Sequence, residues 1–192
     1  NYSWNLELSY KLCSWAKKQC PGLIVVFGGP NFPVLPEEKI EFFDKRPVVD
    51  FYIENEGEIA FAGLLSRLHE YDFDVAALQS EQKPLANCNY LFRDRLVSSG
   101  IERIRDVNCI PSPYLNGMLD EFFELPLSPM LETTRGCPFS CSFCADGIAS
   151  KNKVERFDSE RVRDELLYIG ARIKHTDELT VTDLNFGMYK KD

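Results

Sequence analysis

Three cysteines crowd eight residues of this chain. They stand in the stretch E-T-T-R-G-C-P-F-S-C-S-F-C-A-D (132–146) as Cys137, Cys141 and Cys144, a C-x3-C-x2-C spacing. Thiolates bind soft metals, and the number and spacing of donors restrict which one. A structural zinc site closes with four ligands, commonly two C-x-x-C pairs or one pair with histidines. Here the nearest further candidates are remote: His175 is 31 residues beyond Cys144, and Cys109 is 28 residues before Cys137. A cubic iron–sulfur cluster normally takes four cysteines. Three leave one iron open, and an open metal position can admit a substrate or cofactor. The alternatives are a zinc or thiol-bearing binding module without catalysis, or three unrelated thiols.

The elements that would position this loop follow an α/β rhythm. M-L-E-T-T (130–134) reads as a short strand running into the cysteines. Asp158 or Ser159 can cap a helix to about residue 173, with Val162, Leu166, Leu167 and Ile173 inward. E-L-T-V-T-D-L (178–184) is the next strand. Asp183 and Asn185 end it on the side of the cysteine loop, where they either contact cofactor or substrate or cap the strand end.

The same rhythm occupies the first part of the chain. Residues 5–20 read as an amphipathic helix with Leu8, Leu12, Trp15 and Ala16 on its inner face, stopped by Pro21-Gly22. L-I-V-V-F (23–27) is a buried strand that runs into Gly28-Gly29-Pro30. A short helix from Pro36 turns Ile40 and Phe43 inward, V-V-D-F-Y-I (48–53) is a second strand, and Glu56-Gly57-Glu58 leads into a third helix. There Ala60, Leu64 and Leu68 share a face with Phe61 and Leu65. Helix, strand, helix, strand, helix implies parallel strands covered on both faces. Two strands alone cannot bury both faces, so further strands are expected upstream of Asn1. The texture changes between about 72 and 128, where the stretch 110–117 is Pro-rich, and the region reads as a connector packed through Tyr114, Phe122 and Phe123, with a small hairpin at 90–97 turning at Arg93-Asp94.

Bulk properties narrow the function classes. The 192 residues are 44% hydrophobic and 27% charged, an ordinary globular composition. A net charge of −8 argues against nucleic acid as the primary partner. No apolar run reaches the ~20 residues of a membrane span. The start, N-Y-S-W-N-L-E, lacks a signal-peptide pattern and an initiator Met, so the chain is expected to begin inside a longer protein. Seven cysteines, unevenly spread, do not suggest a secreted disulfide framework, and a reducing cytoplasm is expected.

The loop T-R-G-C-P-F-S-C-S-F-C, with Phe143 just before the third cysteine, resembles the signature of the radical S-adenosylmethionine superfamily. The longer string is similar to members that also carry a cobalamin-type domain. W-N-L-E-L-S, P-G-L-I-V-V-F-G-G-P-N-F-P, V-V-D-F-Y-I-E-N-E-G-E-I-A-F and P-S-P-Y-L-N-G extend the likeness over nearly the whole chain. The resemblance implies that Cys137, Cys141 and Cys144 bind three irons of a 4Fe–4S cluster. The open iron would then be chelated by S-adenosylmethionine, whose reductive cleavage releases methionine and a 5′-deoxyadenosyl radical. Phe143 would lie beside the adenine, Gly136 would allow close backbone approach, and Arg135 would bring a positive charge to an anionic cluster.

For the upstream half, the resemblance makes Gly28 and Gly29 the strand end that meets the nucleotide tail of cobalamin. The alternative, held equally, is a tight turn with no ligand. The family's D-x-H-x-x-G cobalt-ligand loop has no counterpart, and neither His69 nor His175 fits it. Asn55 and Glu56 stand where the family's Gly-Glu-Gly-Glu element usually begins, and Glu58 reads as a favourable charge at a helix start. The scattered Cys13 and Cys20 have the wrong spacing for the extra cluster of a methylthiotransferase.

The fold expected is therefore α/β in three parts. Residues 1–75 form the end of a Rossmann-like, cobalamin-binding-type parallel sheet, 76–128 a connector, and 129–192 the first units of a partial (β/α)6 barrel. The activity implied is radical chemistry or cobalamin-dependent methyl transfer on a small-molecule substrate, with an electron donor such as flavodoxin or ferredoxin. A fragment this short is expected to be inactive alone. A degenerate relative with a structural cluster is a further alternative.

Overall fold

The computed structural model describes residues 2–144 and 152–188. The chain divides into two compact units, Asn1–Ile104 and Arg105–Asp192.

The first unit is built on a four-stranded sheet of order β1-β2-β3-β4. Strand β1 (Val26–Gly28) lies parallel to β2 (Phe51–Ile53), with Val26 opposite Phe51 and Gly28 opposite Ile53. The α/β reading with a parallel pair therefore holds. The sheet continues, however, through β3 (Cys88–Phe92) and β4 (Arg95–Ser98), both antiparallel. The hairpin expected at 90–97 exists and turns at Arg93 and Asp94, whose φ angles are 45° and 63°. Two consecutive positive φ values are what a two-residue turn needs to match strand twist, and here it forms without glycine. Part of the range read as connector thus belongs to the sheet of the first unit.

Alternation along the strands divides the core between two faces. Phe51, Ile53, Cys88, Tyr90 and Val97 pack with Ala60, Leu64 and Leu68 of α3 (Glu58–Glu70) and Leu78 of α4 (Val75–Ser80). Val25, Phe27 and Tyr52 face Leu6 of α1 (Leu6–Gln19) and Phe42 and Phe43 of α2 (Pro36–Asp44). On α3 Ala60, Leu64 and Leu68 are buried as expected, but Phe61 and Leu65, expected to share their face, are exposed.

On α1 the expected face is wrong. Leu8, Leu12 and Trp15 are exposed, while Leu6 is buried and Tyr10 and Cys13 pack beside it on the core. The helix carries two apolar stripes, and polar anchors decide between them. Lys17 Nζ bonds both Asp50 carboxylate oxygens at 2.7 and 2.6 Å and the Val48 carbonyl at 3.2 Å, and Arg46 pairs with Glu7. These partners are more than 30 residues away in sequence.

The second unit contains a β-α-β unit. Strand β5 (Met130–Leu131) is followed by α5 (Ser159–Gly170) and by β8 (Thr180–Val181), which lies parallel to β5. Between β5 and α5, β6 (Thr134–Arg135) pairs antiparallel with β7 (Glu155–Arg156), so the segment that carries the cysteines is closed at its base. Tyr114 and Phe123 form a small core with Ile169, as the connector reading requires, but Phe122 is exposed. The Tyr114 hydroxyl donates to Met130 O at 2.7 Å and accepts from Met130 N, pinning the start of β5. On α5, Leu166 and Leu167 are exposed and Glu165 is buried against Arg161, at 3.1 Å. Arg161 also donates to Ile110 O, so an ion pair rather than the leucine stripe turns this helix inward. Among the described residues, no helix is long and apolar enough to cross a membrane.

Candidate functional site: a cysteine loop at a parallel strand end

The cysteine loop leaves β6 through Gly136, whose φ of 107° lies in a region that only glycine adopts without strain. Cys137 is half-buried, whereas Cys141 and Cys144 are exposed, and all three are free thiols. Cys144 N donates to Cys141 O at 3.1 Å, so the last two cysteines share one turn. Phe143 between them is 92% exposed. Residues 145–151 lie outside the described residues.

No group of three His, Cys, Asp or Glu side chains meets at a single point among the described residues. The cysteines are therefore grouped by chain position and turn, not gathered around a preformed centre. Among the described residues, neither His175 nor Cys109 joins them. Free thiols on an exposed loop of this spacing suit a soft metal cluster in donor chemistry. By contrast, Cys88 is fully buried, and burial pushes its thiol up to about 12. It is a core residue, held in its neutral form.

Asp183 and Asn185 do reach the loop. One Asp183 oxygen accepts from Thr133 N at 2.6 Å, and the other accepts from the hydroxyls of Thr133 and Thr134 at 2.5 and 2.7 Å. Asn185 Nδ2 donates to Cys137 Sγ at 3.0 Å. Arg135 departs from expectation. Its guanidinium is paired with Glu132, Nε–Oε1 3.1 Å and Nη2–Oε2 2.6 Å, so its charge is neutralised locally.

Around the strand end in the first unit, neighbouring groups of the same unit bond one another. Gly28 closes β1, and a Cβ added there would sit 3.4 Å from Ile53 O. Gly29 has φ 99°, and its carbonyl accepts from the Tyr52 hydroxyl at 2.9 Å. Burial, and next the Glu54 charge, push the Tyr52 pKa up, so the hydroxyl stays a donor. Phe32 stacks on Tyr52 at 3.9 Å between ring centroids. Lys39 pairs with Glu54, which also accepts from Asn89 Nδ2 at 2.8 Å. The tight-turn role of the two glycines is visible in these contacts. His69 and His175 are both exposed.

A search of known proteins places these features. The chain is 32% identical to the cobalamin-dependent radical SAM methyltransferase TokK of Streptomyces tokunonensis, over 199 aligned residues that cover all of this chain and 27% of TokK. The chain is related to the cobalamin-dependent radical S-adenosylmethionine methyltransferases. The radical enzyme OxsB, solved with aqua-cobalamin and S-adenosylmethionine bound, has the same fold over 95% of this chain and 24% of its own, with TM-score 0.65 and 18% identity. TsrM from Kitasatospora setae, a radical S-adenosylmethionine methyltransferase solved with cobalamin and a [4Fe-4S] cluster, matches 92% of this chain and 33% of its own, with TM-score 0.59 and 16% identity. No protein-family model matches the chain. The chain thus spans about a quarter of the length of the methyltransferase TokK. The cysteine loop and the Gly28-Gly29 strand end both fall inside the stretch aligned with that enzyme.

Two anchoring contacts of this chain have no signal in its sequence. Thr133 and Thr134 meet Asp183 across about 50 residues. Glu56 is almost fully buried, and it pairs with Arg103 at 3.1 Å and accepts from Ile104 N at 2.5 Å. Its place in the E-N-E-G-E string suggested only a helix start, which Glu58 supplies.

Proposed function

We propose that this chain is the part of a cobalamin-dependent radical S-adenosylmethionine methyltransferase that ends the cobalamin-type domain and opens the catalytic barrel. The first unit, through Ile104, corresponds to the cobalamin-type domain, residues 105–128 to the connector, and residues from 129 onward to the start of the barrel. The observation that carries this reading is the loop of three free cysteines, tied at its base between β6 and β7 and standing at the end of the parallel β5–β8 pair.

In this reading Cys137, Cys141 and Cys144 hold a 4Fe–4S cluster as thiolates. When bound, the cluster supplies the electron that cleaves S-adenosylmethionine at its open iron. The chain's own residues do the positioning. Gly136 turns the backbone out of β6, and Asp183 fixes the base of the loop through Thr133 and Thr134. Phe143 offers an uncovered aromatic face suited to a flat heterocycle such as adenine. Gly28 and Gly29 leave a strand end without side chains, where the tail of cobalamin would pass. No histidine of this chain is placed for cobalt, so no step is assigned to cobalt here. The methyl acceptor is a small molecule, the electron donor a flavodoxin or ferredoxin, and the compartment a reducing cytoplasm.

Anaerobic reconstitution of the intact protein tests the reading. About four irons and four sulfides per chain are expected, with absorption near 400 nm that a Cys137/Cys141/Cys144→Ala triple variant loses. Stoichiometric zinc with no iron uptake overturns it.

A further inference from the structure

We infer that the short segment after β8 is a clamp on the cysteine loop, in which Asp183 holds the loop's stalk and Asn185 tunes its first sulfur. The inference rests on the cluster reading for its second half and on geometry alone for its first.

The geometry has two grips from one strand end. Asp183 spends both carboxylate oxygens on the stalk: Thr133 N at 2.6 Å, Thr133 Oγ1 at 2.5 Å and Thr134 Oγ1 at 2.7 Å. These are charge-assisted bonds, each worth more than a neutral one. Thr134 is buried, so its hydroxyl has little access to water as a substitute. The stalk is also the start of β6, whose pairing with β7 closes the cysteine loop. Asp183 therefore couples the end of β8 to the base from which Cys137 projects.

Two residues on, Asn185 directs its amide N–H at Cys137 Sγ, 3.0 Å away. An amide donor aimed at a metal-bound sulfur stabilises the more negative, reduced form of an iron–sulfur centre and raises its reduction potential. Arg135, on the same stalk, pairs with Glu132. Among the described residues, Asn185 is the side chain with a hydrogen bond to a cysteine of the loop. Both residues act through others, so they are positioning residues. Capping the strand end alone would not require contacts with the loop's stalk and sulfur.

The intact protein tests both grips. In the apo form, hydrogen exchange of the Thr133 amide is expected to quicken by roughly tenfold or more in Asp183→Ala, because the amide loses a charged acceptor. In Asp183→Asn, which keeps one acceptor oxygen, the rise is expected to be smaller. Unchanged exchange in both variants overturns the stalk grip. If Asp183→Ala fails to fold, the Asp183→Asn value decides. After anaerobic reconstitution, Asn185→Leu is expected to keep the parent's iron content while its cluster midpoint potential, read by redox titration, moves to more negative values. An unchanged potential overturns the sulfur grip. A parent protein that takes up no iron overturns the cluster reading and the sulfur grip with it, while the Thr133 exchange still decides the stalk grip.

Discussion

Two parallel strand ends in this chain look alike in sequence and differ in how they use their polar groups. At the end of β1–β2, neighbouring groups bond one another. Tyr52 bonds Gly29, Phe32 covers Tyr52, and Lys39 and Asn89 both bond Glu54. The end of β8 spends its polar side chains on a loop: Asp183 on Thr133 and Thr134, Asn185 on Cys137. The first arrangement ties a fold together, and the second ties down a loop and its first cysteine. Glycines at a strand end therefore say little about ligands by themselves, whereas polar side chains aimed at cysteines say more.

The contrast breaks most sharply at the buried ion pair. Lys39→Met leaves the Glu54 carboxylate without its cation in a largely enclosed site, and a loss of about 3–5 kcal/mol is expected by urea unfolding. A change under 1 kcal/mol means that the pair is hydrated and the strand end is open. The next effect is at the turn. Gly29→Ala forces a side chain onto a φ of 99°, with an expected cost of about 1–3 kcal/mol in the same measurement and no change in iron uptake. Reduced iron binding in that variant would show that the two ends are not independent.

A smaller effect separates the cysteines themselves. The folded Cys88 thiol is pushed up to about 12 from an ordinary value of 9.0 by burial, so the unfolded chain releases that proton first. Its contribution to stability is fully present below pH 9 and is lost as pH rises toward 12, at up to about 1.4 kcal/mol per pH unit. Cys88→Val is expected to flatten the alkaline stability profile by this one proton. Smallest of all is Phe143→Ala. With the ring 92% exposed, stability should shift by less than about 0.5 kcal/mol, whereas affinity for S-adenosylmethionine, measured on the reconstituted protein, should fall.

What was legible in the sequence tracks the range of the interactions. The cysteine loop, the parallel β1–β2 pair and the hairpin at Arg93-Asp94 depend on neighbours in sequence, and reading their spacing suffices. The buried stripe of α3 also follows from its period, since Ala60, Leu64 and Leu68 have one apolar partner face. The inner faces of α1 and α5 do not follow. In α1 Lys17 finds Asp50, and in α5 Arg161 finds Glu165 and Ile110, so polar anchors override the leucine stripes. The same holds for the site. The pointer to metal binding at Cys137, Cys141 and Cys144 lies in residue type and spacing. The bonds from Asp183 and Asn185 join positions about 50 apart, and Glu56 meets Arg103 across 47 residues. No local pattern encodes such pairings.

The central claim is that three cysteines, and not four ligands, hold the cluster and leave one iron for S-adenosylmethionine. Electron paramagnetic resonance of the reduced, reconstituted protein tests it directly. Addition of S-adenosylmethionine is expected to change the g values of the reduced cluster, because the molecule enters the coordination of the open iron. Identical spectra with and without saturating S-adenosylmethionine would contradict the claim and point to a fully ligated, structural cluster.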